Sequence, residues 1–284
     1  MKSIKLLLVS IAIILGLMSC DKLKEPYIIE SIVTKSDTIA LEQADYDNFD
    51  GKVVVLLEDY TGVRCNNCPD AALIANQLQE DNEGHLIVLG VHPDGGQQSP
   101  TGGYPEFRTA DATEWNNHYN ITGYPNGMVN RNGVLNPAQW TTAVENIIGS
   151  DAPVMLVVKS EYDDATRELK LSIHSIFRQD VESSDVRLTV CMMEDSIVGA
   201  QATSHGVNPS YMHRHVFRGT ADGMTWGKTM SDTESISAGS YFVSNMKFTL
   251  SEDYNEDEFY IVAFISDYNS ANREVLMAAE TKIK

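Results

Sequence analysis

Apolar residues run continuously in the first half of the chain and alternate with polar ones in the second. Val53 to Leu57 form an unbroken β-branched and aliphatic run, the pattern of a strand buried on both faces. Gly62 breaks the run. Beyond it Ala71, Ile74, Ala75 and Leu78 recur at i, i+3, i+4 and i+7, which predicts an amphipathic helix. Pro69 suits its first turn, where an N–H has no helical partner. His85 to Val91 read as a second buried strand, so strand, helix and strand make a right-handed βαβ unit.

Gly-Gly pairs and prolines mark Pro93 to Arg108 as a loop. Asp111 and Glu114 have capping-box spacing for a helix running to about Tyr119. A strand over Asn126 to Asn130 then meets Asn132-Gly133, a hairpin signal. Asn136 caps a last helix with Pro137 at its first position. Trp140, Val144, Ile147 and Ile148 share one face of it, and Gly149 ends it.

After Pro153 the period becomes two: Leu169, Leu171 and Ile173 alternate with Lys170, Ser172 and His174, the pattern of a half-buried strand. Strands are expected at Val154–Lys159, Glu168–Phe177, Val186–Met193, His213–Arg218, Tyr241–Leu250, Glu258–Ser266 and Arg273–Ile283. Strands without helices predict an antiparallel β-sandwich of immunoglobulin-like type. The expected organisation is therefore an α/β domain over 28–150, opening with an edge strand within Pro26–Ile39, and an all-β sandwich domain over 151–284.

The first residues stand apart. Lys2 and Lys5 precede an apolar stretch from Leu6 to Leu15, too short to span a bilayer, so 1–19 read as a signal peptide. Leu17-Met18-Ser19-Cys20 resembles a lipobox, with Cys20 as the acylated residue and 20–27 as a tether. Several acyl chains, each worth about 0.8 kcal/mol per buried CH₂, would hold the chain on a membrane through Cys20. The formal charge is −19; removing Lys2 and Lys5 with the leader leaves 19 basic against 40 acidic residues, or −21. Such a surface repels phosphate backbones and excludes nucleic acid as a partner.

Candidate chemistry centres on Cys65 and Cys68, where strand hands over to helix. Unpaired N–H groups there stabilise a thiolate. A Cys-x-x-Cys at that junction looks like a thioredoxin-fold active site, so 28–150 is expected to be thioredoxin-like. Asp59, six residues before Cys65, matches the buried acid of that fold, and Tyr124-Pro125 matches its cis-proline. In an oxidising compartment the same pair could equally be a permanent structural bridge. No second Cys or His pair follows at zinc-ligand spacing, and no cofactor is indicated. Cys191 sits alone in an apolar strand and reads as core. His213 and His215, two apart in an expected strand, would point to one face as a metal pair or binding patch would need. Packing is the favoured reading of both, and Arg218 joins them as a binding candidate.

Three stretches carry a family resemblance: Glu58 to Gly62 leading into Cys65-Asn66-Asn67-Cys68-Pro69, Tyr211 to Arg218, and Asn272 to Glu280. Together they resemble Bacteroidetes outer-membrane lipoproteins, a family named for a protein of about 28 kDa, whose fold by itself fixes no activity. The resemblance implies a lipid-anchored protein on the periplasmic or cell-surface face of the outer membrane, with an adhesin or receptor role and a protein or surface ligand. That reading is preferred. The alternative is a thiol–disulfide oxidoreductase, with Cys65 as exposed attacking thiolate, Cys68 as resolving thiol, Asp59 as proton acceptor and Pro125 as substrate contact.

Overall fold

The computed structural model describes residues 38–95 and 99–284. The expected signal peptide, Cys20, the tether and all but the end of the edge strand over Pro26–Ile39 lie outside the described residues. A short helix, α1 (Gln43–Asp47), leads into β1 (Val55–Tyr60), α2 (Cys68–Asp81) and β2 (Leu86–Val91). Then come α3 (Ala110–His118), β3 (Asn126–Val129) and α4 (Pro137–Glu145). The rest is almost all strand: β4 (Val154–Asp163), β5 (Glu168–Phe177), β6 (Val186–Glu194), β7 (Ile197–Thr203), β8 (Gly206–His213), β9 (Val216–Thr220), β10 (Lys228–Thr229), β11 (Tyr241–Thr249), β12 (Phe259–Asp267) and β13 (Glu274–Lys282).

The apolar runs are explained by one mixed sheet that is covered on both sides. Its order is β13-β12-β6-β9-β2-β1-β3, with β10 hydrogen-bonded to β6 off this path. Val55 and Leu57 face a core shared with α2, α4 and the second sheet, whereas Leu56 and Tyr60 face a second core around Trp115 of α3. Successive strand residues point to opposite faces, so a strand buried on both must be apolar throughout. β12 repeats the pattern: Ile261, Ala263 and Ile265 lie in the first core, Val262 and Phe264 in the second.

The change of period near residue 150 is real, but no layer ends there. β4, β5 and β11 form a separate three-stranded antiparallel sheet. The opposing strands β6, β9, β12 and β13 are continuous with β1–β3. The seam is a short parallel contact in which Gly90 N donates to His215 O at 2.7 Å, with Gly90 in register with Val216. A Cβ on Gly90 would stand 3.2 Å from that same oxygen, so a larger residue would have to push the two strands apart by a few tenths of an ångström.

Three local expectations are corrected. Ile74 is 36% exposed, because α2 buries only the narrower stripe of Cys68, Ala71, Ala75 and Leu78. Thr109, not Asp111, caps α3: its side chain accepts from Ala112 N, while Asp111 accepts from Thr220 N across the fold. The polar face of β5 is not solvated. Ser172 accepts from Ile39 N at 2.8 Å and His174 Nε2 lies 2.8 Å from Ile39 O, so the segment before α1 covers it, helped by a Lys159–Asp45 ion pair.

Candidate functional site

β1 ends at Tyr60, and the chain turns over Thr61 to Asn67 before α2 begins at Cys68. Thr61 N donates to Val91 O and Cys65 N to Gly62 O, which fixes the turn against β2. Cys65 and Cys68 form a disulfide with Cα atoms 5.4 Å apart. The exposed Cys65 of the sequence-based expectation does not hold, since Cys65 is only 4% and Cys68 only 2% exposed.

The cover is the β7–β8 hairpin. Ala202 N donates to Val63 O, and the Gln201 amide donates to Gly62 O at 3.2 Å and to Cys65 O at 3.1 Å. This hairpin is missing from the sequence reading, which finds no strand between Met193 and His213. Gly199, Gly206 and Pro209 give the stretch a loop-like composition. A proline is nonetheless acceptable in a two-stranded ribbon, where one edge of each strand is unpaired.

The hairpin also brings the two sequence-predicted clusters together. A cavity of about 40 Å³ lies behind the disulfide, lined among others by Asp59, Cys68, His92, Tyr211, His213 and His215. Asp59 Oδ1, His213 Nε2 and His215 Nε2 are buried without a protein hydrogen-bond partner. A volume of this size and polarity fits a few bridging waters and no substrate, since one water needs about 10–15 Å³. Burial pushes the Asp59 carboxyl up to about 7. Burial moves the imidazoles the other way: His213 and His215 fall to about 4 and His92, beside His213, to about 3. All three are neutral at pH 7.

His213 and His215 do not share a strand face. His213 ends β8, and His215 takes a left-handed backbone (φ 55) before β9 begins. His213 instead packs edge-on between Phe107 (4.9 Å) and Tyr211 (4.9 Å), and Phe107 meets His92 at 5.1 Å. Among the described residues no group of three or more His, Cys, Asp or Glu is placed to hold a metal. Arg218 pairs with Glu194 at 3.4 Å and lies over Tyr254 at 4.7 Å, as an internal strut rather than a surface contact. Pro125 follows a cis peptide bond and precedes Asn126, which pairs with Tyr60, so it shares the sheet edge of the cysteine turn. It is not part of the cavity wall. Cys191 is a fully buried core residue.

A second buried constellation also escaped the sequence. Arg131, in the turn after β3, donates to both carboxylate oxygens of Glu58 at 3.0 and 2.9 Å, and neither side chain is exposed. Its guanidinium lies 4.7 Å from both the Trp115 and Phe264 rings.

A mixed sheet carrying a hairpin over a Cys-x-x-Cys bridge defines the class, and comparison with known proteins gives the family. Residues 112–284 match the model of outer membrane protein Omp28, and the chain belongs to that family of the outer membrane. HBP35 of Porphyromonas gingivalis shares the fold at 16% identity and TM-score 0.64, over 82% of this chain and 76% of that one. A protein of Agrobacterium tumefaciens does so at 13% identity and TM-score 0.51, over 83% and 97%. A domain of the outer membrane lipoprotein Omp28 from Porphyromonas gingivalis is 18% identical over 47% of this chain and 89% of its own, with a TM-score of 0.33. No curated protein matches the chain.

Proposed function

We propose that this chain is a Cys20-acylated outer-membrane lipoprotein that binds a protein or surface ligand, and that its Cys65–Cys68 disulfide is a structural clasp. The N-terminal part is read as thioredoxin-like, from parallel β1 and β2, the Cys-x-x-Cys at the start of α2, and antiparallel β3 after cis-Pro125. The C-terminal part is read as an immunoglobulin-like sandwich sharing a layer with it. The observation that carries the functional reading is the cover: both cysteines lie beneath the hairpin, where no protein substrate reaches them. The opposite face of that hairpin offers Val198 (63% exposed) beside its cross-strand partner Met212 (54%), with Val207 (58%) near the turn. Apolar residues grouped on a solvent face are the usual mark of a contact surface. The family match also contains β7–β9 and begins after the cysteines. The lipobox-like Leu17 to Cys20 supports the anchor.

A second reading has its own observation. Asp59 is buried, titrates near 7 and lines the same cavity as Cys68, as a proton acceptor for a dithiol would. For redox chemistry the hairpin would have to lift. Complementation of a deletion strain separates the two. The binding reading expects Cys65→Ser, Cys68→Ser to restore the phenotype and Val198→Asp, Met212→Asp to fail. The opposite pattern makes the protein an oxidoreductase.

A further inference from the structure

β11 ends the β11-β5-β4 sheet, and among the described residues it pairs with β5 alone. The strand is nine residues long, holds no proline, and carries one charge, Lys247, which Glu168 of β5 answers at 2.7 Å. An edge so long and so little guarded is a template for a further strand. Its side chains are also incompletely covered on both faces. Tyr241 (53% exposed) and Val243 (38%), the latter in register with His174, stand on the outer face, while Phe242 and Met246 on the inner face are only partly buried against the core. We propose that residues 27–33 add to this edge as the outermost strand of the sheet.

The path of the described chain leads to that edge. Asp45 pairs with Lys159 of β4, Ile39 is held by Ser172 and His174 of β5, and Thr38 Oγ1 accepts from Asn245 Nδ2 of β11 at 2.7 Å. Followed towards the N-terminus, the backbone crosses the outer face strand by strand and stands on β11 at Thr38. Thr34, Lys35, Ser36 and Asp37 precede it, a polar run suited to a turn. These four residues reach up to about 14 Å and neighbouring strands lie about 4.8 Å apart, so Val33 arrives one strand beyond β11 with slack.

The composition of 27–33 matches what β11 lacks. Successive strand residues face opposite ways, so Ile28 and Ile32 fall on one face and Tyr27, Ile29 and Val33 on the other, with Glu30 and Ser31 between them. One set extends the inner layer beside Phe242 and Met246, and the other covers Tyr241 and Val243. Resting on the Cys20 anchor proposed above, the added strand also orients the molecule. Residues 20–26 reach at most about 25 Å, so the β11 edge is the side held towards the membrane.

Amide hydrogen exchange of the mature, unacylated chain, resolved to single residues, tests the added strand independently of the anchor. Paired amides within 28–33 should exchange at least about 100-fold more slowly than in the unfolded chain. Ile29→Pro removes a donor and breaks the strand, so it should abolish that protection and speed the β11 amides that do not bond to β5, with α4 and β12 exchanging as in the parent. A gentler variant, Ile28→Asn with Ile32→Asn, keeps every donor and should lower the same protection about tenfold. Leu23→Pro, in the tether, should change neither segment. Exchange of 28–33 at the unfolded rate in the parent overturns the proposal, as does an Ile28→Asn, Ile32→Asn chain that frees 28–33 but leaves β11 as it was. So does β11 protection that falls on dilution in a chain that sediments as a dimer, which would make a second copy the occupant.

Discussion

Replacing Arg131 with methionine removes a cation from the most enclosed charge pair among the described residues. Two charge-assisted hydrogen bonds to Glu58, at 2.9 and 3.0 Å, disappear, and the Glu58 carboxylate stays buried without a counterion. Breaking such a pair from one side costs about 3–5 kcal/mol. The Trp115 and Phe264 faces, each 4.7 Å from the guanidinium, lose a desolvated cation worth up to about 2 kcal/mol, part of which methionine packing restores. The expected net loss is roughly 4 kcal/mol, or about 1–2 M in the urea midpoint at an m-value of about 3 kcal/mol/M. The paired change Glu58→Leu, Arg131→Met removes both charges and should recover to within about 1–2 kcal/mol of the parent, because apolar packing commonly replaces a buried ion pair at little cost. Urea unfolding followed by tryptophan fluorescence, with the disulfide intact, measures all three. A single variant within about 1 kcal/mol of the parent, or a double variant worse than the single, refutes the reasoning.

Asp59→Asn should stabilise the protein at pH 8 and leave it unchanged near pH 4. The buried acid titrates near 7 but at its ordinary low value when unfolded, so the parent loses stability as pH rises between the two, by roughly 4 kcal/mol in all. A difference independent of pH contradicts this. Gln201→Ala removes the donor to Gly62 O and Cys65 O and should cost about 1–3 kcal/mol while speeding reduction of the disulfide by small thiols; an unchanged reduction rate speaks against the cover. Intact-mass spectrometry of membrane-extracted protein should show an acylated Cys20 terminus, and a soluble mature chain with unmodified Cys20 would falsify the anchor.

What the sequence made legible follows from range. β1, α2, β2 and α4 announce themselves locally, through the two-face apolar run at Val55, the stripe of Ala71, Ala75 and Leu78, and the Asn136-Pro137 start. The Cys65–Cys68 bridge at the head of α2 and buried Asp59 were readable for the same reason. The joining of the two halves was not, because it rests on a short contact at Gly90 and Val216, residues with no local sign of meeting. The polar side of β5 looked solvent-facing because its cover comes from Ile39, far away in the chain. His213 and His215 looked like neighbours on a strand because nothing in the sequence marks the left-handed turn at His215. The hairpin that closes the site was hidden by its glycines and proline, and Arg131 by lying in a turn.

The reduction potential of Cys65–Cys68 in the mature chain tests the account most directly. A clasp held under β7–β8 should lie below about −300 mV and resist glutathione, as structural bridges do. A potential in the range of about −120 to −270 mV, with mixed disulfides trapped by Cys68→Ser, would contradict the structural role and make the cysteines the working centre.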